Sequence, residues 1–534
     1  MKKSVKSLFV LFCMIFCSCK TIQKPQNITE PLDYTSQSGI QNEIDSIRKI
    51  QSVDSVKALW KSIYLGEEEI YNECLDIVLK NYESAWENKD FVEFERIKKS
   101  LEAIDFDFSK YESFSTLENE EKIPGFFVDE SKLPKTIENC IDATVTVVVD
   151  KGIKVQYGNG ISDIVIGSGF FIDNRGYIVT NCHVIEDLVN PKYEGFSRLY
   201  IKLPSDMETK IPAKVIGYDS VLDLALLKTE IEPEFVFELG SSEDLSVGDK
   251  ISAIGTPIGL EGTLTSGIIS SIGRKMTTLG NVFQIDAAVN SGNSGGPLID
   301  EKYKVQAIVF AGMLQFQGLN FAIPVEYLKQ LLPIMYDGGE IHHPWIAAYG
   351  HTKRKGTEKV GVEVQYVMPR GIADISGLQD GDVIIQLNET KISTLEDLHF
   401  FMMGYRCSTL IKCKFVRNGE EKNTVLYLEE RPESPLKDFY NSDFMSDSFV
   451  PIYGIKMIAS STINRKSYNI EKVIKGSLAD EFGFSENDSL TVKDVRFDEE
   501  NKYLLTQVFV QRRKKGYLDV NMILYAPYDS TYYF

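Results

Sequence analysis

Gly292-Asn293-Ser294-Gly295-Gly296-Pro297 sets one serine on a turn crowded with glycine. Such a turn can present the serine hydroxyl and the backbone amides of Gly292 and Ser294 to one substrate carbonyl, where negative charge develops during acyl transfer. Asn293 sets the turn, so Gly292, Asn293 and Ser294 form the candidate oxyanion loop. A serine hydroxyl is a poor nucleophile near neutral pH; it needs an imidazole to take its proton and a carboxylate to orient the imidazole. Upstream, Thr180-Asn181-Cys182-His183-Val184-Ile185 carries the only histidine before His342, which makes His183 the base if it lies in the same domain. The acid lies between them. Asp223, in Val221-Leu222-Asp223-Leu224-Ala225-Leu226-Leu227-Lys228, interrupts an apolar, strand-like run where an unpaired charge is costly. Taken singly, these residues read as a turn serine, an exposed histidine and a paired acid. Together, in this order, they imply a serine peptidase with His183, Asp223 and Ser294 as its catalytic residues.

From Gly167 to Pro324 the chain resembles the protease domain of the HtrA/Deg family of trypsin-like serine proteases. Gly167-Ser168-Gly169-Phe170, Gly176 to Asn181 and His183 match the family's histidine block. Asp223 to Leu227 match its aspartate block, and Asp286-Ala287-Ala288 through Pro297 its serine block. Gly255-Thr256-Pro257-Ile258-Gly259 and Phe321-Ala322-Ile323-Pro324 are similar to further signatures. Two departures are Ser291, where many relatives have proline, and Cys182 beside the histidine. The His, Asp, Ser order is that of chymotrypsin-like double β-barrels. Proteases that cut after basic residues place an aspartate six positions before the nucleophile; here that position is Ala288. With Met313, Leu314 and Phe316 as further apolar wall, the expected cleavage follows small or medium aliphatic residues. Those are normally buried in folded proteins, which selects unfolded chains. The resemblance also implies a trimer built around the protease domains.

With 534 residues, the chain is long enough for several domains. Its 77 acidic and 58 basic side chains leave a formal charge of -19, which opposes general nucleic-acid binding. No Gly-Lys dipeptide offers a Walker-type phosphate loop, so proteolysis is expected to be ATP-independent. No Cys/His spacing suits a structural zinc site, and neither metal nor cofactor is expected. Lys2, Lys3 and Lys6 before the apolar run Leu8 to Phe16 read as a secretory signal. Its Cys17-Ser18-Cys19 end resembles a bacterial lipobox with Cys19 as the lipidated residue; ordinary cleavage without lipid is the other reading. The expected location is the bacterial cell envelope, facing the periplasm. Of the remaining cysteines, Cys407 and Cys413 sit across an expected strand, and Cys140 is placed near Cys182; no disulfide is required.

Apolar residues at near-helical spacing from Ile44 to Trp60, then Glu67 to Trp86 and Phe91 to Ile104, predict helices separated at Glu87-Asn88-Lys89-Asp90. This segment is either a docking or oligomerisation module or a solvated stalk. After the protease an internal repeat appears: Ala373-Asp374, Gly377 and Asp382 recur 106 residues later as Ala479-Asp480, Gly483 and Asp488. The first copy resembles a PDZ domain of the kind attached to HtrA proteases, and the second resembles it more weakly, with Asn487 in place of Gly381. PDZ domains add an extended peptide to a sheet edge. By position, Trp345-Ile346-Ala347-Ala348 and Ile452-Tyr453-Gly454-Ile455 are the peptide-binding loops, with alanine at 347 where relatives usually carry glycine.

The expected architecture is therefore a helical N-terminal region, a chymotrypsin-like double β-barrel protease and two PDZ-like α+β domains. The boundaries are 1–19 for the signal, 20–135 for the helical region and linker, 136–335 for the protease, 340–432 for the PDZ domain and 448–534 for its divergent copy. The partners are unfolded polypeptides and C-terminal peptides, with a membrane through the lipid. The rival reading is an envelope-anchored chaperone or scaffold with an idle protease domain.

Overall fold

The computed structural model describes residues 36–111, 128–256, 262–276, 278–290, 292–312, 319–460, 466–512 and 518–534. The expected signal with Cys19, and the wall residues Met313, Leu314 and Phe316, lie outside the described residues.

Four helices open the described chain: α1 (Gln37–Gln51), α2 (Ser55–Leu65), α3 (Glu68–Glu87) and α4 (Phe91–Ala103). The apolar spacing from Ile44 to Trp60 reads as one run, but the chain divides it at Asp54. That carboxylate caps α2 by accepting the Lys57 amide at 2.8 Å, a local bond that competes with continued helix. It also accepts from the hydroxyls of Ser408 and Tyr427, so the break doubles as an anchor.

The protease region begins with α5 (Ile137–Asp142) and β1 (Thr144–Gln156), β2 (Asn159–Asp173) and β3 (Tyr177–Thr180). After α6 (Cys182–Val189) come β4 (Arg198–Leu203), β5 (Asp206–Asp219) and β6 (Leu224–Thr229). Pairing of β5 with β6 closes this sheet on itself. The second barrel uses β7 (Lys250–Gly255), β8 (Thr263–Lys275), β9 (Asn281–Ile285), β10 (Pro297–Ile299), β11 (Val305–Gly312) and β12 (Asn320–Pro324), closed in the order β10-β11-β12-β9-β8-β7. Alternating Val145, Val147 and Val149 of β1 fill the first barrel beside Ile178 and Ile185. Phe170, Leu224, Ile254 and Ile308 join the two barrels under helix α7 (Val325–Met335). The double β-barrel expected from the His, Asp, Ser order is the fold observed.

Two short strands, β13 (Gly339–Glu340) and β14 (Pro344–Trp345), lead into the first repeat. Its strands are β15 (Ala348–Lys355) and β16 (Glu358–Val367), then, after the short α8 (Ile372–Ile375), β17 (Val383–Leu387) and β18 (Thr390–Lys391). Helix α9 (Leu395–Met403), β19 (Leu410–Arg417), β20 (Glu420–Tyr427) and β21 (Glu429–Glu430) complete it. The sheet order β15-β16-β17-β19-β20 leaves β15 and β20 as edges. The second repeat comprises α10 (Pro435–Ser442), α11 (Met445–Tyr453), β22 (Ile455–Ala459), β23 (Ser467–Val473), α12 (Leu478–Glu481), β24 (Ser489–Asp498), β25 (Tyr503–Arg512) and β26 (Leu518–Pro527). A boundary at 448 would cut through α11, whose Phe449, Val450, Ile452 and Tyr453 belong to this domain's core.

The repeated residues do the same work in both copies. The buried Asp382 accepts the Gln379 amide at 2.8 Å, and the buried Asp488 accepts that of Ser485 at 3.0 Å. Asp374 and Asp480 hold the amides of Arg370 and Gly476 at 2.7 and 2.9 Å. Gly381 and Asn487 both stand in the left-handed region, at φ 92° and 69°, which asparagine tolerates.

The N-terminal helices are docked on the first repeat. Helix α2 lies along the β20 edge: Trp60 Nε1 donates to the Val425 carbonyl at 3.0 Å, and the Val425 amide donates to the Tyr64 hydroxyl at 2.9 Å. A sheet edge left open is a template for unwanted pairing, and these two side chains close it. Trp60 is fully buried there. Trp60→Ala is expected to cost about 3–5 kcal/mol, the usual penalty for truncating a buried aromatic. Hydrogen exchange should show protection falling together in α1–α4 and β20; loss confined to α2 would contradict the shared core.

Cys140 and Cys182 lie in separate core clusters, since Cys140 joins the inter-barrel layer and Cys182 faces the first barrel. Cys407 lies in the turn before β19, and its thiol reaches the His342 carbonyl rather than Cys413. All five described cysteines are free.

Candidate active site

His183 sits in the first turn of α6, directly after β3. Both oxygens of the Asp223 carboxylate serve it: Oδ2 lies 2.7 Å from Nδ1, and Oδ1 accepts the His183 backbone amide at 2.8 Å. That pair fixes the orientation of the ring from its Nδ1 side. Asp223 does not lie within a strand, as its apolar surroundings suggest, but on the turn before β6, at φ 57°. The Asn181 side chain steadies this left-handed residue by donating to the Asp223 carbonyl at 2.8 Å.

Two further residues, not singled out from the sequence, build that turn. Asp219, fully buried, accepts the Val221 and Leu222 amides at 2.8 and 3.0 Å. Its other oxygen lies 2.8 Å from Nε2 of His343, from the segment joining protease and first repeat.

Burial works against protonation of His183, but the hydrogen bond and charge of Asp223, helped by Glu186, prevail and hold its pKa above the ordinary 6.5. Cys182 is explained by its surroundings: burial, with Asp223 nearby, pushes its thiol up to about 12, so it is an inert core residue.

Around Ser294 the backbone is packed too tightly for side chains. Gly295 has φ 85°, and a Cβ there would meet the Ser168 carbonyl at 2.2 Å; one on Gly296 would meet that of Ile254 at 2.2 Å. The Asn293 amide is spent on the Asn290 carbonyl at 3.0 Å, so Asn293 shapes the turn and is not an oxyanion donor. Among the described residues, the amides of Gly292 and Ser294 have no backbone acceptor. The Ser294 hydroxyl itself donates to the Phe310 carbonyl at 3.3 Å rather than to His183. A role for His183 as its base would require the hydroxyl to rotate first, and catalytic hydrogen bonds are commonly loose in unliganded sites.

Ser168 supports this loop from within the histidine block. Its buried hydroxyl donates to the Gly292 carbonyl at 2.6 Å and accepts the Thr256 amide at 2.9 Å, while its amide holds the Ser294 carbonyl at 2.8 Å. Ser168→Ala is expected to lower kcat about tenfold, corresponding to roughly 1.4 kcal/mol of lost oxyanion positioning, with KM nearly unchanged. An unaltered kcat in steady-state assays would remove Ser168 from that role.

Of the expected substrate-pocket residues, only Ala288 is described; it lies exposed on the loop before Ser294, and its carbonyl accepts from Thr265 at 2.8 Å. In the first repeat, Trp345 closes β14, and Ile346 and Ala347 turn into β15 at Ala348; all four are buried. Ala347 has φ 61°, the conformation glycine would adopt without penalty. In the second repeat, Ile452 and Tyr453 are not in a loop. They end α11 with their side chains in the core, because the apolar run pulls them inward, and only Gly454, at φ 77°, and Ile455 match the first copy.

Sequence comparison agrees with this layout. A trypsin-like peptidase domain matches residues 167–308, a PDZ domain 348–407, a TP0546 family PDZ domain 436–528, and a domain of unknown function 38–122. A probable periplasmic serine endoprotease, DegP-like, of Bartonella henselae is 32% identical over 374 residues, covering 67% of this chain and 70% of that protein. The chain belongs to the HtrA/Deg family of serine endoproteases. It combines a serine endopeptidase domain with two PDZ domains. A DegP-like protein of Pseudomonas fluorescens is 34% identical over 280 residues, 50% of this HtrA/Deg chain and 57% of the relative. Among solved structures, an HtrA-type protease AlgW with decapeptide is 25% identical at a TM-score of 0.46, covering 56% of this chain and 99% of that one.

Proposed function

We propose that this HtrA/Deg protein is an ATP-independent endopeptidase of the periplasm that degrades unfolded or damaged polypeptides. The observation that carries it is the Asp223 carboxylate clamping His183 through both its oxygens, together with the amides of Gly292 and Ser294 that await an acceptor. In the reaction, Ser294 Oγ leaves Phe310 and attacks the peptide carbonyl as His183 Nε2 takes its proton. The Gly292 and Ser294 amides receive the oxyanion, and His183 returns the proton to the departing amine. Water activated by the same imidazole then hydrolyses the acyl-enzyme.

The location follows the names of the relatives, which are periplasmic, and a lipid on Cys19 would hold the enzyme at a membrane. Ala288 provides no charge for a basic side chain, so cleavage follows small or medium aliphatic residues. The PDZ domains bind extended peptides and bring clients to the barrel. The Ser294–Phe310 bond favours a second reading, a chain-binding chaperone or scaffold with little proteolysis.

Incubation of the purified protein with reduced casein, followed by mass-spectrometric mapping of the cuts, tests the proposal. Cuts after Val, Ala, Leu or Ile are expected. Cuts after Lys or Arg would contradict the pocket, and intact casein bound to the protein would favour the chaperone.

A further inference from the structure

We propose that Tyr532-Tyr533-Phe534 is an internal ligand of the first PDZ domain, filling in cis the groove that an extended peptide with an aromatic anchor would enter. The inference rests on the reading of that domain as peptide-binding. The three residues follow the last strand of the second PDZ domain, yet they pair with the free edge of the first. The Ala348 amide donates to the Phe534 carbonyl oxygen at 2.9 Å, the Phe534 amide returns to the Ala348 carbonyl at 3.0 Å, and the Gly350 amide reaches the Tyr532 carbonyl at 3.1 Å. Tyr349 and Tyr533 form an antiparallel bridge between them. This is strand addition beginning at the turn of Ile346 and Ala347.

The side chains fit a ligand's part. Phe534 is fully buried in the cluster that holds Ile346, Leu398 and Met402, the last two from α9. Also from α9, His399 Nε2 lies 3.1 Å from the Tyr533 carbonyl and donates to it, so the segment is bonded on both sides. The half-buried Tyr532 stacks on His351 with ring centroids 4.1 Å apart, and Lys275, at the end of β8 in the protease, lies 5.3 Å from its ring. The occupant thus touches PDZ domain and protease together. The opposite sheet edge, β20, is already closed by Trp60 and Tyr64, so β15 is the edge left for a peptide.

A tethered segment competes at an effective concentration of about a millimolar, so a free peptide of about 10 µM intrinsic affinity would bind roughly a hundredfold more weakly to the native chain. The probe is a fluorescein-labelled Asp-Ser-Thr-Tyr-Tyr-Phe peptide, followed by anisotropy on the full chain carrying Ser294→Ala to prevent cleavage. Adding Phe534→Ala should tighten binding at least tenfold. Tyr532→Ala, a milder change at a half-buried site, should act in the same direction by a smaller factor. Should Phe534→Ala fail to melt cooperatively, Tyr532→Ala and hydrogen exchange decide: saturating peptide should raise exchange in residues 528–534 while Ala348 and Gly350 stay protected. Equal binding by the parent and the variants would overturn the internal ligand and leave peptide binding intact. Absence of binding in all of them would overturn both.

Discussion

Ser294→Ala is expected to lower kcat for hydrolysis of an unfolded substrate by about a million-fold, as for a triad serine that acts in concert with its base. The loss should be chemical and not structural. The Ser294 hydroxyl makes one long bond, to the Phe310 carbonyl at 3.3 Å, and the turn is held instead by backbone bonds from Gly295 to Val309 and from Ser168 to Ser294. Melting temperature and client binding should therefore be unchanged in the variant. A residual rate within a hundredfold of the native enzyme would mean that another group performs the chemistry.

Asp223→Asn is expected to reduce kcat about ten-thousandfold. Both carboxylate oxygens receive a hydrogen from His183, one at the ring and one at the backbone. An asparagine has only one acceptor oxygen, so it must present its NH2 group to one of these donors. If that group faces Nδ1, the imidazole carries its hydrogen on Nε2 and cannot accept the serine proton. The pH profile gives an independent check. Only neutral His183 is a base, and its pKa is raised, so the native rate should climb with a midpoint above 6.5. Removing the Asp223 charge removes the main cause of the rise, and the midpoint should move down in the variant. Rate measurements from pH 5 to 9 that show the same midpoint in both proteins would contradict the assignment.

The proposed catalytic residues are legible in the sequence because each is dictated by chemistry within a short motif: glycine around the serine, a single upstream histidine, an acid stranded among apolar residues. Their supports are not. Asp219 and His343 meet only once β5 and the segment before β14 are packed together, and Ser168 reaches Gly292 across 124 residues of chain. The helical periodicity of the N-terminal region was legible, but not its destination, since Trp60 finds its acceptor on Val425, 365 residues away. Ile452 and Tyr453 read by position as part of a peptide-binding loop, because so short an apolar run does not by itself reveal the helix that they end. The repeat at a spacing of 106 residues survived because its aspartates hold the same turns in both copies.

The most direct measurement is reaction of the full chain with a fluorophosphonate, which forms a stable adduct only with a serine activated by a base and an oxyanion hole. Mass spectrometry should find one adduct, on Ser294, abolished by His183→Ala with the fold intact. An unmodified Ser294, or labelling that persists without His183, would contradict the triad.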